Sequence, residues 1–248
     1  MQSPSDLKHA LMQHKREEHR YHGSRMGPYI HDIVYGANDG IVTTFAVVSG
    51  VAGAELSPSV VIILGFANVI ADGLSMALGN YLSHRSQQDH YHRVRKEEER
   101  EVDEIPEIER EEIREIFRAK GFTGEDLERA TQIITSNRRV WVETMVQEEH
   151  GLCSGEDGRP FFHALAMFCS FIVFGSVPVL PFLLPSVATY AFPVTIVAAG
   201  LALLFVGFLR SWVTRERYFR GPLEIFLVGS ICAAVAYGVG MALKGFGA

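Results

Sequence analysis

The stretch Ser59–Glu104 constrains the fold most: it lies between Pro58 and Pro106 and contains no proline. Its first half, SVVIILGFANVIADGLSMALGNYL, is apolar enough to cross a bilayer, while its second half, SHRSQQDHYHRVRKEEEREVDE, is so charged that it belongs in water. One helix accommodates both. At 1.5 Å per residue the 46 residues extend about 69 Å, and about 20 residues cross the hydrocarbon. Roughly half the helix is therefore expected to project beyond the membrane and to tie a soluble part rigidly to a transmembrane part.

Within the apolar half, Asn68, Asp72, Met76 and Asn80 recur every four residues and make a polar stripe along one helix face. Beside it Ala71, Ser75, Gly79 and Ser83 form a stripe of small side chains, the pattern that lets a second transmembrane backbone pack closely. Polar stripes also glue helices together, and asparagines alone fit that bland role. An aspartate at mid-membrane costs several kcal/mol unless it faces water, an ion or a partner, which favours a functional stripe.

Apolar and charged residues are segregated along the chain. Apolar runs lie near 30–52, 59–83, 162–184, 189–209 and 223–243, whereas 84–160 holds 20 of the 29 Asp and Glu residues. The simplest partition is an all-α membrane protein with five spans and one acidic insertion between spans two and three. Its parts are an N-terminal segment 1–28, spans one and two in 29–84, a lobe in 85–158 and spans three to five in 159–248.

The first 28 residues are polar, so no secretory apolar region precedes span one. Lys8, Lys15, Arg16, Arg20 and Arg25 come before that span, thirteen Lys or Arg lie in 84–160, and four arginines separate spans four and five, while the loops GAELSP and LPSVATY have none. The positive-inside rule then makes the N-terminus and the insertion cytoplasmic. The net charge of −6 comes largely from the insertion and implies no nucleic-acid partner. Cys153, Cys169 and Cys232 show no Cys-x-x-Cys spacing, so neither a disulfide framework nor a zinc ribbon is expected. Residues 5–22 suit an amphipathic surface helix; its histidines at 9, 14, 19 and 22 do not hold one face and read as solvated.

Span one carries Asp32 near its cytoplasmic end and Asp39 two turns deeper, on one face, with Asn38 and Thr43 beside Asp39. No Lys, Arg or His falls in the interior of any expected span, so Asp39 is expected to hold a proton or a cation. Span three contains Pro178, Pro181 and Pro185, which should kink or end it. Span five has small-residue faces, Gly229 with Ala233 and Ser230 with Ala234 and Gly238.

The insertion reads as three helical pieces: the continuation of span two, a helix from Pro106 to a stop at Gly121, and a third from a Thr-Gly-Glu-Asp capping pattern at Thr123 to about Gly151. Ile108, Ile113, Ile116, Phe117, Leu127, Ile133, Ile134, Val140 and Trp141 are the expected shared core. Glu98 with Glu101, Glu109 with Glu112, and Met145 with Glu149 each form an adjacent pair on one helix face. For any single Glu the bland reading is a solvated face with pairs such as Glu111 to Arg114 or Arg118. Converging carboxylates cost stability unless a cation compensates them, and a Met sulfur biases such a site toward transition metals over magnesium or calcium.

The NDG at Asn38–Gly40, the GLSMALGNYLS at Gly73–Ser83, the following QQDHYHR with its Glu-rich run, and VWVETMVQEEHGL before span three resemble the vacuolar iron transporter family. The resemblance covers nearly everything from Tyr29 onward. It implies a five-span homodimer with a cytoplasmic three-helix metal-binding lobe, acting as a proton-coupled exporter of ferrous iron, and sometimes manganese, from the cytosol into a vacuole or out of a cell. By that resemblance the lobe ligands fall on Glu98, Glu101, Glu109, Glu112, Met145 and Glu149, and the membrane pathway residues on Asp32, Asp39 and Met76. The chain departs from the pattern at Asn68, where the family has Glu, and at Val146, where it has a second Met; Asp72, one turn from Asn68, is the expected substitute carboxylate. The partners so implied are divalent metal ions, protons, the lipid bilayer and a second copy of the chain. No tightly bound cofactor is expected, with Fe2+ as substrate and Mn2+, Co2+, Ni2+ or Zn2+ as further ions for the lobe. The membrane would be vacuolar or another endomembrane in a eukaryote and the cytoplasmic membrane in a prokaryote. A membrane-anchored di-iron oxidase or metal-storage protein is the alternative, but that class uses Glu-x-x-His motifs and the nearest sequence is Asp89-x-x-His92. A calcium-sensing scaffold would show an EF-hand loop pattern, and none is present.

Overall fold

A computed structural model describes residues 27–152, 159–214 and 219–246, together with Met12. Every regular element among them is helical: α1 Ile30–Gly53, α2 Pro58–Glu104, α3 Pro106–Ala119, α4 Gly124–Thr135, α5 Arg138–Glu148, α6 Pro160–Gly175, the single turn α7 Leu180–Leu183, α8 Ala191–Thr214 and α9 Arg220–Leu243, with short 3-10 turns between them. The expected N-terminal surface helix, its histidines and Cys153 lie outside the described residues, Met12 apart. As expected, α2 runs unbroken for 47 residues between the two prolines. Length and apolar composition single out α2, α8 and α9 as able to cross a membrane. Helix α1 is 24 residues long, but Asp32, Asn38 and Asp39 dilute its hydropathy. The expected third span is shorter than 162–184, because α6 ends at Gly175 and the chain turns before Pro178.

The chain divides into two compact units, residues 1–80 with 161–248, and residues 81–160. In the first, α1 packs against α8 and α9, around Ala37, Ile41, Phe45, Ala199, Leu203, Val206, Ile225 and Ala233. Close approach of backbones requires glycine here: a Cβ on Gly240 would fall 2.1 Å from the Gly50 carbonyl oxygen, and one on Gly40 would fall 2.8 Å from that of Phe171. Apolar helices gain little from water exclusion inside lipid, so such contacts carry much of their association. On α2, Gly65, Val69, Gly73 and Ala77 are buried, the polar stripe of Asn68, Asp72, Met76 and Asn80 is half-buried beside them, and Ala71, Ser75, Gly79 and Ser83 are exposed.

The second unit holds the charged end of α2 with α3, α4 and α5. Its core is Val94, Val102, Ile113, Trp141, Val142, Met145 and Val146, with Ile116, Phe117 and Ile134 packed against it; Leu127 is also buried. Ile108, Ile133 and Val140, expected in that core, are exposed. The expected third lobe helix is in fact two, α4 and α5. Asn137 breaks it, its side chain accepting from the amides of Arg139 and Val140 and so capping the start of α5. Thr123 sits at the start of α4 in extended geometry but makes no side-chain cap, contrary to the capping pattern in the sequence. The stop at Gly121 does form: φ is +95°, the Phe122 and Gly121 amides reach the Phe117 and Arg118 carbonyls, and the Phe117 and Phe122 rings meet edge-on at 5.4 Å. That is a Schellman motif with its hydrophobic contact.

Candidate metal site

In the second unit the three glutamate-bearing faces converge. Glu98 on α2 is 3% exposed and Glu109 on α3 is 2% exposed, and each has one carboxylate oxygen, Oε2, that is buried with no hydrogen-bond partner among the described residues. Burial pushes the Glu109 carboxyl up to about 7, and the charges of Glu112, Glu98, Glu101 and Glu149 add to the rise. Burial likewise raises Glu112, with Glu149, Glu98 and Glu101 contributing. The five glutamates singled out in the sequence thus act on one another. Met145 is fully buried in the adjoining core. The flanking glutamates behave differently: Glu111 pairs with Arg114 and Arg118, and Glu107 with Arg110. Two orphaned buried oxygens amid like charges is an arrangement that a cation would stabilise.

Sequence reasoning missed His150. It lies two residues past the end of α5, and its Nε2 meets Glu98 Oε1 at 2.8 Å. Burial pulls the His150 pKa down, but the bond to Glu98 and the charges of Glu149, Glu98 and Glu97 outweigh it, and the net shift is upward. The residue was present in the VWVETMVQEEHGL motif, but 52 positions separate it from Glu98.

The Glu109 shift fixes a pH dependence. A carboxyl whose folded pKa lies near 7, above the 4.5 of an unperturbed Glu, binds a proton in the folded state that the unfolded chain has released. Its stabilising contribution is full below 4.5 and is lost as pH rises through 7. The metal-free chain should therefore melt at lower temperature at pH 8 than at pH 6, followed by the fluorescence of buried Trp141 in a Trp212→Phe background. Glu109→Gln should flatten that difference.

In the first unit Asp32 is 2% exposed and uses both carboxylate oxygens. Asn80 Nδ2 donates to Oδ1 at 2.8 Å, and His163 Nδ1 lies 2.6 Å from Oδ2; the Tyr29 ring lies 4.7 Å from the His163 ring. The three residues join α1, α2 and α6, and Ser170 Oγ adds a bond from α6 to the Ile33 carbonyl at 2.6 Å. Asn80 therefore leaves the expected stripe to hold Asp32. His163→Ala would leave a buried carboxylate short of this partner and should destabilise the protein by about 3 kcal/mol. A Tm drop in detergent, smaller for His163→Gln, checks it.

Deeper in α1, Asp39 is half-buried and the charge of Asp72 on α2 acts on it. Thr43 Oγ1 donates to the Asp39 backbone carbonyl at 2.8 Å, not to its carboxylate. Asn38 Oδ1 and Asn68 Nδ2 are buried with no partner among the described residues.

The fold and these donor sets define a class: a helical integral membrane protein that carries carboxylates on its apolar helices and a convergent glutamate cluster on a separate polar unit. The chain belongs to the VIT family, whose model it matches over residues 30–241. It is 32% identical over 228 residues to vacuolar iron transporter 2 of Oryza sativa subsp. japonica, covering 92% of this chain and 93% of that one. It is 33% identical over 232 residues to the vacuolar iron transporter of Toxoplasma gondii, covering 90% and 77%, and 30% identical over 230 residues to vacuolar iron transporter 1 of Arabidopsis thaliana, covering 93% and 90%. These relatives are named as transporters, and the chain is a transport protein, not an enzyme.

Proposed function

We propose that the chain is a homodimeric, proton-coupled transporter that moves ferrous iron, and manganese with it, out of the cytosol across an endomembrane. In this reading α1, α2, the α6–α7 segment, α8 and α9 are five spans, and the glutamate cluster is cytoplasmic. The observation that carries it is the orphaned, buried Oε2 on both Glu98 and Glu109. The relatives' name supplies iron as the first cargo to test.

Each group has a part in the mechanism. Glu98, Glu101, Glu109, Glu112 and Glu149, with the Met145 thioether, collect the ion from the cytosol, where the sulfur favours Fe2+ over Mg2+ and Ca2+. Asp39, Asp72 and Met76 then hold it within the membrane, their two carboxylates balancing its two charges. Protons arriving from the far side displace the ion and leave with the carboxylates' next exchange, so metal and protons move in opposite directions. The exposed small-residue stripe of Ala71, Ser75, Gly79 and Ser83 offers the face for the second copy.

Fe2+ entry into proteoliposomes, read by quenching of a trapped chelating dye, tests the proposal. The expected result is saturable Fe2+ flux that excess Mg2+ does not inhibit; no flux of any divalent metal would contradict it. Within the pathway, Asp72→Asn should cut flux as severely as Asp39→Asn, whereas Asn68→Ala should be mild, because the carboxylate has moved one turn along the stripe. Normal flux from an Asp72→Asn dimer of lowered stability would instead make Asp72 an interface residue.

A further inference from the structure

The lobe offers a nitrogen donor as well as oxygens. One ligand atom each from Glu98, Glu149 and His150 lie within 4.8 Å of one another, and Glu98 has the one engaged and one orphaned oxygen described above. We propose that Glu98, Glu149 and His150 form a mixed carboxylate–imidazole site in which His150 Nε2 is a direct metal ligand. The inference rests on the lobe's reading as a metal collector, and it adds a donor type that reading did not contain.

Geometry supports the assignment. Three donors at about 2.1 Å from one ion lie about 3.6 Å apart at their widest even spacing; the His150–Glu98 pair is already closer than that at 2.8 Å, and the exposed Glu149 carboxylate need close by about an ångström, within reach of a side-chain rotation. The His150–Glu98 contact already orients the ring, and it holds one proton between Nε2 and Oε1. An ion entering there replaces that proton, which goes to water, and coordinates Nε2 and Oε1 together; the orphaned Oε2 and the Glu149 carboxylate complete the set. Access is also suitable, since the Glu98 side chain is 4% exposed whereas that of His150 is 35% exposed, so the site has a buried floor and an open lip.

The consequence is selectivity. Carboxylates alone suit Mn2+, Mg2+ and Ca2+, whereas imidazole raises affinity for the later divalent metals. Losing even an outer partner of a metal ligand costs about 10- to 100-fold in affinity, so losing a ligand should cost at least as much. The test is calorimetric titration of the full chain in detergent with Co2+ and with Mn2+, for wild type, H150Q and Glu98→Gln, with Tm of each metal-free form as the check on folding. H150Q is expected to weaken Co2+ roughly tenfold or more and Mn2+ by less than about threefold, while Glu98→Gln weakens both. Co2+-loaded wild type should also show a hyperfine-shifted exchangeable imidazole N–H resonance that H150Q lacks. Unchanged Co2+ affinity in H150Q, an equal loss of both metals, or the resonance surviving in H150Q would overturn the inference while leaving the glutamate lobe intact. Failure of wild type to bind either metal would overturn the lobe reading and this site together.

Discussion

Asp39→Asn is expected to abolish Fe2+ flux while leaving the protein folded. The amide keeps the shape and the hydrogen-bonding capacity of the carboxylate. It removes the charge that pairs with the ion and the group that takes the proton. Asp39 is only half-buried, and its backbone bond from Thr43 does not involve the carboxylate, so little structure depends on the charge. A well-folded Asp39→Asn variant that still transports at a tenth of the wild-type rate or more would remove Asp39 from the pathway.

Simultaneous replacement of Glu98, Glu101, Glu109 and Glu112 by Gln should have the second large effect, in two opposite directions. Metal binding to the lobe should be lost, by 100-fold or more, on the order of two ligand losses. The metal-free chain should become more stable, because burial and mutual repulsion raise Glu98, Glu109 and Glu112 above the ordinary carboxylate range. Amides carry no such repulsion, so a Tm higher by several degrees at pH 8 is expected, with a smaller gain at pH 5, where Glu109, shifted up to about 7, is already largely protonated. Thermal scans of the full chain with a chelator, paired with Mn2+ titration, read both effects. Loss of stability at pH 8 would show that these glutamates serve the fold instead of an ion.

The parts of this arrangement that follow helical spacing were legible in the sequence. Pro58 and Pro106 bound α2 at both ends, Gly121 marks the stop of α3, and three-residue spacing on α2 and α3 locates the glutamate pairs. What was hidden depends on long-range packing. The Asp32–His163 contact joins residues 131 positions apart, so the partner that engages Asp32 had no local signature. The break at Asn137 did have one, since asparagine is a strong N-cap residue. Overlooking it merged α4 and α5 into one helix; Ile133 and Val140 are exposed, and the buried Val142 and Val146 were passed over. Val94 and Val102 were hidden differently, as single apolar residues in the most charged stretch of the chain.

The most direct test of the central claim is whether metal moves protons. Proteoliposomes with a trapped pH dye, equal pH on both sides and a clamped membrane potential would receive Fe2+ outside under reducing conditions. The account predicts that Fe2+ entry through wild type makes the interior more alkaline, as protons leave in exchange, and that Asp39→Asn abolishes both signals. Fe2+ entry at the wild-type rate with no change in internal pH would contradict it.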